Sequence, residues 1–278
     1  MQLVSIVITC YNQASYVKDT INSVLSQTYV NWECIIVNDG SVDSSEEVIL
    51  NSIVDCEKFI YIVTKNYGVV SARNTGMTRS NGDFLVSLDG DDIIEPDFLK
   101  RCINVFYSCK NARLVYTQAV FFGKKMGLWN LPNYSFKDLL RSNLIPNTAM
   151  FRKSDYLRIG GYRSNMRLGL EDWDFWINIL SIYDDDVVYK VEEVLFKYRI
   201  VHDSRTAVVN DIENFNTMLD MIFFNNFLVY RRFYGSIHDK IVNYELLYQV
   251  QNKFIVRKVV SCLHFASQFK TYLISLFK

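Results

Sequence analysis

The sequence predicts an α/β fold with a mostly parallel central sheet and helices on both faces. Short β-branched apolar segments alternate with segments of helical period along the first 110 residues. Such alternation is typical of βαβ units. Polar or acidic residues follow several of the apolar segments directly, and ligands of parallel sheets bind at the carboxyl ends of the strands. A binding site is therefore expected at one edge of the sheet.

The first half of the chain predicts four strands with helices between them. Strands are expected at residues 3–9, 33–37, 59–63 and 84–88. Helices are predicted over the segments that follow them, namely residues 16–27, 44–54, 69–80 and 96–109. The run at 84–88 is apolar except for Ser87, so this strand should be buried on both faces.

The second half predicts a less regular continuation of the same domain. Strands are expected at residues 112–122 and 148–152, irregular structure at 123–145, and two closing strands at 187–191 and 194–199. A periodic helix is predicted at 171–183. The domain is expected to span residues 1–205, in two halves at 1–110 and 111–205. A C-terminal helical region is expected over residues 206–278.

Composition and charge limit the class of protein. Half of the 278 residues are hydrophobic, which excludes wholesale disorder. The six cysteines form no CxxC pair, so a reducing compartment is expected. No secretory signal and no apolar stretch of spanning length is visible, and a cytoplasmic location is predicted. Residues 231–278 carry a net charge of +6 and residues 1–230 carry −6, which favours an anionic partner for the tail.

Three carboxylates crowd within four positions directly after the fourth predicted strand. These are Asp89, Asp91 and Asp92, and Gly90 is expected to let the chain bend between them. Like charges this close repel one another unless a cation is present. A hard divalent metal with oxygen ligands, held for a phosphate-bearing substrate, explains the cluster. The alternative is a surface turn with solvated acids.

Six segments of the chain, in order, resemble the motifs of the family-2 inverting glycosyltransferases, which have the GT-A fold. They are VSIVITCYN at 4–12, SVLSQTY at 23–29, ECIIVNDGSVD at 33–43, SARNTG at 71–76, DGDD at 89–92 and GLEDWDFW at 169–176. The resemblance covers residues 1–205 and implies a nucleotide-binding half at 1–110 and an acceptor-binding half at 111–205. It implies a Rossmann-like sheet and a nucleotide-diphosphate sugar as donor, and it leaves the C-terminal helical extension outside.

The resemblance implies a metal site for Mn²⁺ or Mg²⁺ at the acidic cluster. Asp91 is the expected direct ligand, and Asp89 would reach the ribose or a metal-bound water. Asp92 would support the site or replace a ligand. His202, in a loop that follows the closing strands, would complete the metal shell, and Arg199 or Arg205 would offset phosphate charge. The alternative for His202 is an ordinary surface residue.

The donor site implied by the resemblance lies at the ends of the first two strands. Asp39 would accept the imide N–H of uracil, which favours a UDP-sugar, and Tyr11 would offer its ring for stacking on the base. Thr9 lies beside them, although plain packing at the strand end explains Thr9 and Tyr11 nearly as well. Arg73 would contact the nucleotide or pair with Asp89.

The acid pair Glu171 and Asp172 opens the predicted helix at 171–183. By resemblance Asp172 is the general base that takes the proton of the acceptor hydroxyl, and Glu171 binds the acceptor or the donor sugar. The alternative is a helix-start acid pair favoured by the macrodipole. Trp173 and Trp176 are expected in the core.

The sequence thus predicts a metal-dependent inverting glycosyltransferase that acts on a growing surface glycan or lipid-linked oligosaccharide, such as capsule or lipopolysaccharide. The alternatives are a nucleotidyltransferase and a catalytically inactive protein that binds sugar nucleotides. No nucleic acid partner is expected, and a homo-oligomer is left open. The basic C-terminal region is expected either to lie on an anionic membrane surface or to pack against protein.

Overall fold

The computed structural model of the chain describes residues 1–183, 185–201 and 212–236. It forms two compact units, one made of residues 1–226 and a second that begins at Phe227. The fold described below belongs to the first unit. Of the second unit, the described part is one short helix.

Nine strands of the described chain form one sheet. They are β1 (Val4–Cys10), β2 (Trp32–Asn38), β3 (Phe59–Val63), β4 (Phe84–Asp89), β5 (Ile93–Ile94), β6 (Leu114–Gly123), β7 (Gly127–Trp129), β8 (Met150–Arg152) and β9 (Val188–Ile200). Their order is β3-β2-β1-β4-β8-β6-β9-β5, with β7 paired to β6. The first four strands in this order are mutually parallel, whereas β8 pairs antiparallel with both β4 and β6.

The described helices of the first unit are α1 (Val17–Leu25), α2 (Ser45–Ile53), α3 (Val69–Arg79), α4 (Phe98–Ser108), α5 (Phe136–Leu139), α6 (Lys153–Ile159), α7 (Glu171–Leu180) and α8 (Ile212–Asn225). The described helix of the second unit is α9 (Phe227–Tyr234). In the first 110 residues every predicted strand and helix is present, with ends within two residues of the predicted ones. The predicted α/β class is confirmed.

Two predictions about the second half are wrong. The segment at 123–145 is not wholly irregular, because it contains β7 and α5. The two closing strands are one strand, β9, which pairs in parallel with β6 along ten residues of that strand. Its register shifts where Glu192 and Glu193 bulge out, since Thr117 pairs with Val191 and Gln118 with Val194. Two exposed glutamates in sequence look like a break, but the strand continues past them.

Helix α3 packs unusually close to the sheet at Gly76. A Cβ atom at this position would lie 2.3 Å from Cγ1 of Val7 on β1 and 3.2 Å from Cγ2 of Val37 on β2. Glycine is unfavourable inside a helix, so its presence here is explained by this approach. The close packing brings Arg73, on the preceding turn, to the edge of the sheet.

Gly90 is needed for a reason other than the predicted bend. It is not among the described residues with positive φ. A Cβ atom there would lie 2.5 Å from Oε1 of Gln13 and 3.0 Å from the carbonyl oxygen of Thr9. The acidic turn therefore lies directly against the end of β1, and only a residue without a side chain fits between them.

The end of α8 and the residue that follows it are hydrogen-bonded to a buried carboxylate on α7. Oδ1 of Asp174 accepts hydrogen bonds from Arg163 at 2.8 Å, Asn226 at 2.8 Å and Asn225 at 3.1 Å. Asp174 and Asn226 are 1% and 2% exposed, so this polar cluster is part of the interior. The predicted boundary near residue 205 lies in the segment 202–211, outside the described residues, and stays a prediction.

The tail predicted to bind a membrane, residues 252–278, also lies outside the described residues. Within the part of the chain that the structure describes, no helix combines the length and the hydropathy needed to cross a membrane.

Candidate active site at the edge of the sheet

The carboxyl ends of β1, β2 and β4 meet at one edge of the sheet and carry Thr9, Asp39 and Asp89. Strand order reverses between β1 and β4, which is where open α/β sheets bind ligands. Thr9 and Asp89 are register partners, and Oγ1 of Thr9 donates to Oδ1 of Asp89 at 3.1 Å. The predicted clustering of these residues at one edge is thus present.

Asp39 is buried and organises the loop that leads into α3. Its Oδ1 accepts from the hydroxyl of Thr64 at 2.6 Å and from the amide of Tyr67 at 2.9 Å, and its Oδ2 accepts from the amide of Gly68 at 2.7 Å. Gly40 follows at φ +73°, where a Cβ atom would meet the amide nitrogen of Asn66 at 2.9 Å. A carboxylate has about four acceptor positions, so one remains beside the three used.

Tyr11 lies just past the end of β1. It is 45% exposed, which leaves its ring accessible to a planar ligand. The backbone at this point is fixed by Asn12, whose Oδ1 accepts from the amide of Val42 and whose own amide donates to Ser41. The loops after β1 and β2 therefore form one rigid rim.

Arg73 links the acidic turn to α7. Its Nη2 lies 2.8 Å from Oδ1 of Asp89 and its Nη1 lies 2.6 Å from Oε1 of Glu171. Arg73 is 1% exposed and Glu171 is 5% exposed. Burial opposes the charge of the guanidinium, but Asp89 and Glu171 hold the pKa of Arg73 above its ordinary value. The predicted pair of Arg73 with Asp89 is present, and Glu171 is a second partner that the sequence did not indicate.

The remaining acids of the turn are tied to β9. Asp92 is buried, and its Oδ1 accepts from the amide of Arg199 at 2.8 Å. The side chain of Arg199 donates to the carbonyl oxygen of Asp91 at 2.7 Å and forms an ion pair with Asp19 at 3.0 Å. Arg199, which the sequence suggested for phosphate, instead holds the acidic turn against β9.

The acidic turn shows the electrostatic strain expected of a cation site. Burial, followed by the charges of Asp91 and Asp89, raises the pKa of Asp92 well above its usual value. The described residues contain no group of three His, Cys, Asp or Glu side chains arranged to hold a metal. Mg²⁺ is commonly bound by one or two carboxylates plus substrate phosphates, and Asp91 with Asp89 fits that donor set. His202 and Arg205 lie outside the described residues.

Asp172 stands at the first turn of α7 beside Glu171. Its Oδ2 accepts from Nδ2 of Asn143 at 2.9 Å, and its Oδ1 accepts from the amide of Trp173 at 2.8 Å. Burial and the neighbouring Glu171 raise the pKa of Asp172 to about 6, against the effect of Arg73. A carboxylate with this pKa is matched to proton transfer near neutral pH. Trp173 and Trp176 are buried, as predicted.

Tyr162 is a member of the site that sequence reasoning missed. Its ring stacks on Phe175, with centroids 4.0 Å apart, and the guanidinium carbon of Arg73 lies 5.6 Å from the centroid of the Tyr162 ring. Asn74 fixes its backbone, accepting from the amide at 2.9 Å and donating to the carbonyl at 2.8 Å. Its buried hydroxyl has no hydrogen-bond partner among the described residues. The signal for Tyr162 in the sequence was the preceding pair Gly160-Gly161. A Cβ atom at Gly161 would meet Asn74 and Tyr156, so a glycine there lets this loop lie close to α3.

The overall architecture is that of the GT-A glycosyltransferases. The chain superposes on a crystal structure of S. aureus TarS, residues 1–349, in complex with UDP-GlcNAc, with a TM-score of 0.63 and 14% identity. The match covers 86% of this chain and 78% of that one. This likeness confirms the GT-A fold.

The glycosyl transferase family 2 model matches residues 5–172, more than half of the chain. The chain belongs to glycosyl transferase family 2. A glycosyltransferase of Rickettsia typhi is 30% identical over 78% of this chain and 70% of its own length. The chondroitin synthase and the hyaluronan synthase of Pasteurella multocida are 29% and 28% identical over 75% and 74% of this chain. Only 22% and 21% of those two synthases is covered, so the chain matches about a fifth of each.

Proposed function

We propose that the protein is an inverting glycosyltransferase that moves a sugar from a UDP-sugar to a hydroxyl of a growing glycan, with Mn²⁺ or Mg²⁺ bound at the acidic turn. The observation that carries this proposal is the carboxyl of Asp172, with a pKa near 6, joined through Glu171 and Arg73 to Asp89. One buried arginine thus connects the proposed base to the proposed diphosphate site.

Inversion requires a single in-line displacement at the anomeric carbon. The acceptor oxygen forms the new bond while the bond from the anomeric carbon to the diphosphate breaks and UDP leaves. Asp172 takes the proton of the acceptor hydroxyl, and Asn143 orients its carboxylate. A bound Mn²⁺ or Mg²⁺ supplies a Lewis acid that stabilises charge on the diphosphate. Asp91 would hold it, with Asp89 against the ribose or a coordinated water and Asp92 in support.

The choice of a UDP-sugar rests on the rim formed by Asp39 and Tyr11. The free acceptor position of Asp39 suits an imide N–H, the exposed ring of Tyr11 suits a planar base, and Thr9 lies beside both. The bound UDP-GlcNAc in TarS and the synthase names of the two Pasteurella relatives also support a UDP-sugar and a polysaccharide product. A surface glycan or lipid-linked acceptor, made at the inner face of a membrane, completes the proposal.

Two other functions are less well supported. A nucleotidyltransferase would need a glycine-rich basic loop after β1, and residues 10–13 read Cys-Tyr-Asn-Gln. A protein that binds sugar nucleotides without turnover would not need a carboxyl of raised pKa next to Glu171. Both alternatives can be separated from the proposal by one assay.

The proposal is tested by incubating the protein with a panel of nucleotide sugars, with and without Mn²⁺, and following release of nucleotide and the anomeric configuration of the product by NMR. Transfer from a UDP-sugar with inverted configuration is the expected result. Retained configuration would contradict the role of Asp172, and binding of UDP without any transfer or hydrolysis would favour the inactive alternative.

A further inference from the structure

A groove of about 890 Å³ runs along the outer side of α3. Its lining combines three hydroxyl side chains of that helix, Ser71, Thr75 and Thr78, with Val69 and Val70, and the loop before α7 contributes a second wall with Ser164 and Arg167. Ligand sites commonly place a few polar groups among apolar side chains, and those polar groups orient the ligand. The hydroxyl groups of this groove suit a hydroxylated ligand that takes several hydrogen bonds.

The groove is also positively charged. Arg79, at the end of α3, and Arg167 are part of the lining, and no acidic side chain belongs to it among the described residues. Both arginines are exposed. In the described part of the chain neither guanidinium has a carboxylate partner, and the hydrogen bond of Arg167 runs to the backbone of Ser164 at 3.1 Å. Two cations facing one groove without a neutralising acid favour an anionic ligand.

The groove extends well beyond the edge of the sheet where the donor is proposed to bind. Its lining includes Tyr67 and Gly68, whose amides bind Asp39, and extends along α3 to Arg79. The eleven residues of α3, Val69–Arg79, correspond to about 16 Å at the rise of an α-helix. Tyr67 is 64% exposed and offers a ring at the end near the site. A ligand that fills the groove therefore reaches past any nucleotide held at the strand ends.

The second wall of the groove leads directly to the proposed base. The loop that carries Ser164 and Arg167 continues into Glu171 and Asp172 at the start of α7. Asn74 lines the groove and also holds Tyr162 by two hydrogen bonds to its backbone, which fixes this loop against α3. A chain whose end lies at Asp172 can therefore run back along a wall of fixed shape.

We propose that this groove binds the acceptor, and that the acceptor is a saccharide chain carrying anionic groups, either carboxylates or phosphodiesters. This inference rests on the proposed function, because it gives the groove to the substrate whose hydroxyl Asp172 deprotonates. Arg79 and Arg167 contact the anionic groups, and the hydroxyl side chains of α3 contact the sugars.

The test compares the wild-type protein with Arg79→Ala/Arg167→Ala. Binding of three fluorescent oligomers is measured by anisotropy: a hyaluronan hexasaccharide with carboxylates only, a glycerol-phosphate hexamer with phosphodiesters only, and neutral maltohexaose. The wild-type protein should bind one of the anionic oligomers more tightly than maltohexaose, and less tightly as salt rises. The double variant should bind that oligomer about tenfold more weakly, as expected for two exposed ion pairs. Which anionic oligomer binds distinguishes carboxylate from phosphate.

The matched control is Arg101→Ala, because Arg101 is an exposed arginine of α4 paired only loosely with exposed Glu193. It should bind all three oligomers as the wild type does. UDP affinity and the temperature of thermal unfolding should be unchanged in every variant. If the double alanine variant does not fold, Arg79→Gln/Arg167→Gln takes its place. The proposal is overturned if the wild type prefers neither anionic oligomer, or if the double variant binds it undiminished. The double variant could lose anion binding while the wild-type protein transfers no sugar. That result would contradict the proposed function and leave the assignment of an anionic ligand to the groove standing.

Discussion

Nη1 of Arg73 lies 2.6 Å from Oε1 of Glu171, although the two residues are 98 positions apart in the sequence. The other terminal nitrogen of the same guanidinium lies 2.8 Å from Oδ1 of Asp89. One buried cation is thus shared by two carboxylates from different parts of the fold. This side chain ties the start of α7 to the acidic turn.

Replacing Arg73 by Gln should strongly destabilise the protein. The variant removes the guanidinium that forms ion pairs with the largely buried Glu171 and the partly buried Asp89, and breaking a buried ion pair costs about 3–5 kcal/mol. Urea unfolding measures the change, with Arg101→Ala as the exposed control, for which a loss of about 0.5 kcal/mol or less is expected.

The double variant Arg73→Gln/Glu171→Gln gives a sharper form of this test. The double variant also removes the Glu171 carboxylate that lost its arginine in the single variant, so part of the lost stability should return. The free energy of unfolding of Glu171→Gln alone is measured for comparison. If the losses of the two single variants simply add up in the double variant, Arg73 and Glu171 act independently and their ion pair does not contribute to stability.

The first half of the fold was predictable because its signals are local. The strand at 84–88 is apolar except for Ser87 and Asp89 follows it directly, so both the strand and the position of the acids can be deduced from neighbouring residues. The second half was harder. Glu192 and Glu193 look like a strand break, and only pairing with β6 shows that the strand continues through a bulge.

The contacts that shape the site were least predictable. Asn143 and Tyr162 belong to it because distant loops return to α7 and α3, and no spacing in the sequence indicates which amide or ring will do so. Arg199 was a reasonable partner for phosphate by its position near the closing strand. In the structure its side chain donates to Asp91 and Asp19 instead. These contacts could be predicted only by knowing that β9 lies beside the acidic turn.

Asp91→Asn should abolish transfer and weaken UDP binding measured in Mn²⁺. The change keeps the size of the side chain and removes one of three crowded charges, so the protein should stay folded with equal or higher thermal stability. Transfer rates and UDP titrations with Mn²⁺ or EDTA measure the effect. Full activity of the wild type in EDTA, or of the variant in Mn²⁺, would contradict a metal at this turn.

Asp172→Asn should lower kcat by a factor of about 10² or more while UDP affinity stays nearly the same, because the proposed base faces the acceptor. Asp55→Asn, which changes an exposed acid near the end of α2, is the control. Parallel loss of UDP binding and turnover would instead give Asp172 a part in donor binding or folding.

The pH profile gives an independent test of the same residue. The pKa of Asp172 is raised to about 6, and the base works only when deprotonated. In the wild type, kcat/KM should therefore fall as pH decreases through about 6 and level off above it. The residual activity of Asp172→Asn should not show this fall near pH 6. If the same fall persists in the variant, it reports the titration of another group.

Removing residues 252–278 tests the proposed membrane contact of the tail. Residues 231–278 carry a net charge of +6, so the intact protein should sediment with anionic vesicles, less so as salt rises, and not with neutral ones. The truncated protein should lose this binding and still turn over a small acceptor, because every proposed catalytic residue precedes 206. Insolubility of the truncated protein would show that the segment packs against protein, and the membrane proposal would then be dropped.

Asn226→Ala should destabilise the protein and lower its activity through α7. Nδ2 of Asn226 donates to Asp174 at 2.8 Å, and its Oδ1 accepts from Arg163 at 3.1 Å, so the variant weakens the support of a carboxylate that is 1% exposed. Hydrogen bonds to charged groups contribute about 1.5–3 kcal/mol, and a loss of that size is expected in urea unfolding. Asn216→Ala, at an exposed position of α8, should change stability by about 0.5 kcal/mol at most. Because α7 carries Asp172, kcat should fall in Asn226→Ala while UDP affinity is kept. Equal stability and turnover of the two variants would show that α8 does not support the site.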